Sequence, residues 1–271
     1  VSYIAFIAGL PEITWDDRKL SLTVTEFRQQ LKDYISEQDE RLVDLFFLPN
    51  DNAQVLRLLN KQEPDRALET VFPLKELEDE VQEPDELIPS YLYEFITDFK
   101  EEHLRYEVSP ENVLSWMYYD EMMKTEHPLV RKYAEFSMNL KNLVTALNAR
   151  KYGLDIAGEV VGNNDFAMAL RTSKTKDFGL AMDYPYVEQV MALMENDNLV
   201  ERERGLDLLI WNFLDEAVTF EYFSLDRVIS YMLRLMIVER WSKMSPESGR
   251  KVFMEMIERF RQSFQFEEQF K

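Results

Sequence analysis

The stretch FSLDRVISYMLRLMIVERW, residues 223–241, is apolar from Val228 to Val238 except at Ser230 and Arg234. A membrane-spanning helix needs about 20 predominantly apolar residues. Arg227, Arg234, Glu239 and Arg240 leave no run of that length, so the stretch reads as a core helix with Ser224 as its cap. At about 100° per residue, Arg227, Ser230 and Arg234 fall within about 60° of one another, a narrow polar stripe on a helix otherwise apolar nearly all round. The stripe is expected to be the helix's exposed edge. Arg227 and Arg234 on it are the candidate partner-binding residues, and replacing both with Glu is expected to cost little stability. The alternative is that the two arginines reach out to solvent or pair with nearby acids.

Working outward, the rest of the chain repeats the helical theme. Only 7 Gly stand against 13 Met, 18 Phe and 13 Tyr in 271 residues, and turn signals are too sparse for a sandwich of short strands. The expected class is all-α, about nine or ten helices and no strand, in one domain covering residues 1–271. The start VSYIAFIAGLPEITWDD has no basic leader, and Pro11 and Glu12 interrupt it early, so it reads as a buried first element rather than a signal peptide. Thr23 and Glu26 have capping-box spacing ahead of Val24, Phe27, Leu31 and Ile35. A second helix is predicted through Leu42, Leu45 and Phe46 up to Pro49, followed by a short one capped by Asn50–Asn52.

Four prolines and the run ELEDEVQEPDE make residues 61–89 an acidic, solvated excursion. Ser90 is a predicted cap, and Ser109 followed by Pro110 another. From Pro128 an apolar stripe continues to Gly153, about 25 residues or roughly 37 Å of helix. Residues 153–184 hold four glycines and the basic RTSKTK, a loop-rich insert with short helical pieces. Helices are then expected over 186–195 and 199–220, and from Pro246, where Phe253, Ile257, Phe260 and Phe264 form a stripe. Phe47-x-x-Asn50, Phe136-x-x-Asn139 and Phe223-x-x-Asp226 lie 89 and 87 residues apart, which suggests three similar helical units of about 88 residues.

Charge and motif content exclude several functions. Against 31 basic residues stand 51 acidic ones, a formal charge of -20, which repels nucleic-acid phosphate and anionic lipid and suits a basic protein partner. There is no cysteine, hence no disulfide and no thiolate chemistry, in keeping with a reducing compartment. His103 and His127 each adjoin a glutamate but form no metal-binding spacing. No glycine-rich nucleotide loop occurs, Asp16/Asp17 and Asp120/Glu121 have no framing for a carboxylate dyad, and Asn196–Asn198 lacks the glycine and terminal glutamate of a calcium loop. The Gly158–Gly162 segment reads as a turn, and the methionine stripes (Met117, Met122, Met123; Met191, Met194; Met254, Met256) as core. No catalytic, cofactor or metal site is expected, and the chain reads as a non-enzyme.

The segments YIAFIAGLPEI, FFLPNDNAQVLRLL, NLKNLVTALNARKYG and FSLDRVISYMLRLMIVERW together resemble an uncharacterised family encoded beside bacterial V-type ATPases, itself similar to their C-type central-stalk component (d-type in eukaryotic naming). The resemblance spans most of the chain. It implies three similar helical units arranged as a funnel on the cytoplasmic end of the proteolipid ring, receiving the foot of the rotor shaft. The implied function is a non-catalytic central-stalk subunit coupling shaft to ring, cytoplasmic and held at the inner membrane through partner subunits without inserting itself. The acidic excursion and the glycine-containing insert depart from that family's pattern. An all-α scaffold or adaptor that binds a partner helix is the alternative, and an all-α enzyme with a site assembled from distant residues is the third.

Overall fold

A computed structural model describes residues 3–17, 20–85, 87–104 and 108–244. Of these residues 63% lie in twelve α-helices and none in a strand, so the chain is all-α, as its periodicity predicts. In chain order the helices are α1 (Ile4–Gly9), α2 (Val24–Leu31), α3 (Glu37–Asp44), α4 (Leu48–Leu59), α5 (Leu74–Gln82) and α6 (Ser90–Lys100). They continue with α7 (Pro110–Lys124), α8 (Pro128–Tyr152), α9 (Asp165–Thr172), α10 (Tyr186–Met194), α11 (Leu199–Ala217) and α12 (Leu225–Lys243). The helix expected from Pro246 and the Met254/Met256 stripe lie outside the described residues.

Local signals set several ends as expected. Glu26 accepts from the Thr23 N–H while the Thr23 hydroxyl oxygen accepts from the Glu26 N–H, completing the capping box of α2. Ser109 caps α7 with Pro110 in its first turn. The long α8 has 25 residues and ends at Gly153, whose φ of 69° is a left-handed conformation that glycine adopts without steric cost. Asn198 accepts from the N–H groups of Val200 and Glu201 at the start of α11.

Other expectations are corrected. Pro49 does not end a helix but stands in the first turn of α4, where a missing N–H loses no intrahelical bond. Asn50–Asn52 therefore lie inside α4 rather than capping it, and Asp51 and Asn52 are buried. Of α1 only Phe6 is buried, so the first element is less enclosed than its hydrophobicity suggests. Residues 61–89 are not an open solvated excursion: α5 forms within them, with Leu77 and Glu80 buried. The reason is that buried polar side chains hold this segment. Asp51 accepts from the N–H groups of Val71 and Phe72, and Gln54 both donates to the Asp65 carbonyl and accepts from its N–H. Glu80 accepts from the N–H groups of Asp85 and Leu87. Glu80 thus satisfies backbone donors, while Glu63, Glu69, Glu76, Asp79, Glu83 and Asp85 stay exposed.

Packing divides the chain into two compact units, Val1–Ile35 with Leu214–Lys271, and Ser36–Phe213; the boundary falls within α11. In the larger unit α8 packs against α7, α9 and α10. Leu143 and Ala146 of α8 meet Phe166 and Leu170 of α9, Phe178, and Val187 and Val190 of α10 in one apolar cluster. The insert is laced to α8 as residues 61–72 are to α4. Asn142, fully buried, donates to the Val161 carbonyl at 2.7 Å and accepts from its N–H at 2.9 Å. Arg150 donates to the carbonyls of Ser173, Thr175 and Lys176, with its guanidinium 3.6 Å from the Phe178 ring centre. Gly162 has φ 84°, and a Cβ there would lie 3.0 Å from Met138 Sδ and Trp116 Cζ3, so the turn needs glycine on two counts.

The smaller unit joins the two ends of the described chain, with α12 packed on α2. Phe6 tilts against Phe27 (5.4 Å between ring centres), and Phe27 stacks on Tyr231 (5.5 Å). The Tyr231 hydroxyl donates to the Pro11 carbonyl at 2.8 Å, and burial pushes its pKa up to about 12. Burial likewise raises Tyr91, Tyr118 and Tyr119 in the larger unit. A phenol whose folded pKa is raised contributes stability that is complete below its unfolded value near pH 10 and is lost as pH climbs through the folded value. Unfolding is therefore expected between about pH 10 and 12, together with a cooperative rise in tyrosinate absorbance. Independent titration of the phenols near pH 10 with helicity retained would contradict it.

Candidate interaction surface

The end of α11, residues 218–224 and the first turns of α12 form a helix–turn–helix segment in the smaller unit. Its base is apolar and buried through Leu214, Val218, Leu225 and Val228. The turn itself is tied by short bonds: the Thr219 hydroxyl donates to the Asp215 carbonyl at 3.0 Å, and the Glu221 N–H to the Val218 carbonyl at 3.0 Å. Beyond this base three rings stand in solvent, Phe220 85% exposed, Tyr222 64% and Phe223 52%, with Tyr222 and Phe223 centred 6.5 Å apart. Glu216 and Glu221 are exposed beside them. Scattered single apolar residues on a surface are ordinary; three exposed rings within four positions make this turn the candidate surface.

The polar stripe of α12 does not form the exposed edge that its spacing suggests. Ser230 is fully buried and donates to the Leu214 carbonyl at 3.4 Å, a long bond. Arg234 is 9% exposed and its Nη1 pairs with Asp215 on the last turns of α11. Burial lowers the Arg234 pKa from its ordinary value, and the neighbouring Asp215 carboxylate works against that shift. Arg227, one turn from the aromatic residues, is half-buried. The two candidate arginines thus part company, Arg234 inside the unit and Arg227 at its surface. A helical wheel gives the angle between side chains but not which neighbour they meet, and here the stripe faces α11.

Farther along α12, the buried Glu239 accepts from the Val24 N–H at 2.6 Å, at the start of α2, and from Lys243. A carboxylate at a helix N-terminus meets unpaired N–H groups and the positive end of the helix dipole. Neither Glu239 nor the aromatic turn stands out by periodicity, because Phe220 closes one predicted helix and Phe223 leads into the next. The usable signal is TFEYF itself, three rings in four positions at a helix junction where no periodic core position requires them.

His103 lies at the surface near Glu101 (3.2 Å) and Asp98 (3.8 Å), and His127 occupies the N-cap position of α8. Among the described residues no group of three or more metal-ligating side chains comes together, and no helix is long and apolar enough to cross a membrane. In RTSKTK, Arg171 donates to the Val160 carbonyl at 2.6 Å and Lys176 lies 3.5 Å from Glu195, so part of the basic patch serves the insert's own fold.

A family model described as protein of unknown function (DUF2764) matches residues 1–264. The chain belongs to this family. No curated protein and no solved structure matches the chain. Family membership covers both compact units, so the aromatic turn and the α12 stripe fall within the part of the chain that the family model describes.

Proposed function

We propose that the chain is a non-catalytic central-stalk subunit of a V-type ATPase or ATP synthase, coupling the rotor shaft to the proteolipid ring from the cytoplasmic side. Its place at the inner membrane would come through those partners. The observation that supports the reading, beside the resemblance of its segments to the C-type central-stalk component, is an all-α chain whose described residues include long, closely packed helices. Helices α7 and α8 pack on each other along the chain. Helix α4 packs on α5 and α6, α8 on α9 and α10, and α12 on α2. Phe47 and Phe223 stand just ahead of α4 and α12 whereas Phe136 lies inside α8, so the Phe motif does not occupy one position relative to its helix.

A coupling element must transmit torque without yielding. Close packing of long helices resists deformation, and the side chains of Asp51, Gln54, Asn142 and Arg150 pin the connecting segments to α4 and α8. The full-length chain is expected to bind a purified complex of shaft subunit and proteolipid ring, more weakly as salt rises, since the -20 charge steers it towards a basic partner. It is expected neither to bind nor to hydrolyse ATP. Binding that salt leaves unchanged would remove the electrostatic part of the account. No binding would sink the coupling role and favour an adaptor.

A further inference from the structure

We infer that the turn between α11 and α12 is a docking element, seating Phe220, Tyr222 and Phe223 in an apolar pocket rimmed by lysine or arginine on the protein that the chain assembles with. The rings are exposed together, and the turn beneath them is built. Val218 and Leu225 on either side are buried, and Thr219 and Glu221 bond back to Asp215 and Val218. Docking therefore orders little that is not already ordered, which is where preorganised surfaces gain affinity. Large aromatic anchors seated in desolvated pockets supply most of the binding energy in protein interfaces.

Charge selects the rim. Glu216 and Glu221 are exposed beside the rings, and Asp215, 55% exposed at its side chain, is paired with the buried Arg234. An acidic collar on a chain of net charge -20 repels an anionic lipid surface and attracts a basic rim. The inference rests on the coupling reading above for the identity of the partner as the V-type ATPase rotor, and on the turn and its exposed acids for the chemistry of the pocket.

The test titrates the full chain, and a variant carrying Phe220→Ser, Tyr222→Ser and Phe223→Ser, into purified shaft–ring complex, with a photo-cross-linking residue placed at Tyr222 in a parallel sample. The variant should keep the helicity of the parent and lose affinity by about 100-fold or more. The cross-linker should attach to a shaft or ring peptide beside lysine or arginine. Parent binding that the triple substitution leaves unchanged overturns the docking inference and leaves the coupling role standing. Absence of parent binding overturns the coupling role and the inference with it. Cross-links to residues 245–271, to a second copy of the chain, or to added neutral phospholipid vesicles put a different occupant on the rings and overturn the inference.

Discussion

Arg234→Glu lowers the stability of the chain by about 3 kcal/mol, whereas Arg227→Glu changes it by no more than about 0.5 kcal/mol. Arg234 sits at 9% exposure with its guanidinium on Asp215, so the substitution removes a paired cation and sets a second carboxylate against the first. Removing one partner of a buried pair costs about 3–5 kcal/mol because the other is left uncompensated. The Asp215 side chain is 55% exposed, and water there softens the repulsion, which places the effect at the low end. Out of a total stability of about 5–15 kcal/mol this is a large fraction. The expectation that both arginines could be reversed at little cost therefore survives for Arg227 only. Urea denaturation followed by circular dichroism on the two single variants separates them. A loss under about 1 kcal/mol in the Arg234 variant would return that side chain to solvent.

Asp51→Ala is expected to cost about 2–4 kcal/mol. The carboxylate is fully buried and accepts from the N–H groups of Val71 and Phe72, at 2.9–3.1 Å, from a segment twenty residues away in sequence. Alanine leaves both donors without this acceptor and opens a small void, and hydrogen bonds to a charged group are the strong ones. Asp51→Asn should cost less, about 1 kcal/mol, since Oδ1 alone already accepts from both N–H groups. Hydrogen exchange gives a reading that a general loss of stability would not: the amides of Val71 and Phe72 should lose protection ahead of those in α8. Unchanged protection at those two amides in Asp51→Ala would mean that the carboxylate does not hold the segment.

What was legible in the sequence is what local forces decide. The capping box of Thr23 and Glu26, the Ser109–Pro110 start, the 25 residues of α8 and its Gly153 stop all depend on groups within one turn of each other, and all are present. Apolar spacing sufficed for the all-α class, because a helix shows its buried face in its own period. The aromatic turn was written in the sequence as TFEYF, but its exposure was not, since a helix junction can be covered as readily as bare.

Partners far along the chain were illegible for the opposite reason. An aspartate or glutamate in an acidic sequence looks solvated until tertiary structure brings a backbone donor to it. Asp51 finds Val71 and Phe72, Asn142 finds Val161, and Glu239 finds Val24, 215 residues away. The same holds for Arg234, whose place on the α12 stripe follows from the sequence while its burial follows from Asp215 on α11. Periodicity settles which side chains share a face; only the packing of helices against one another decides whether that face meets water, an acid or an N–H, because burial and desolvation belong to the neighbours rather than to the residue.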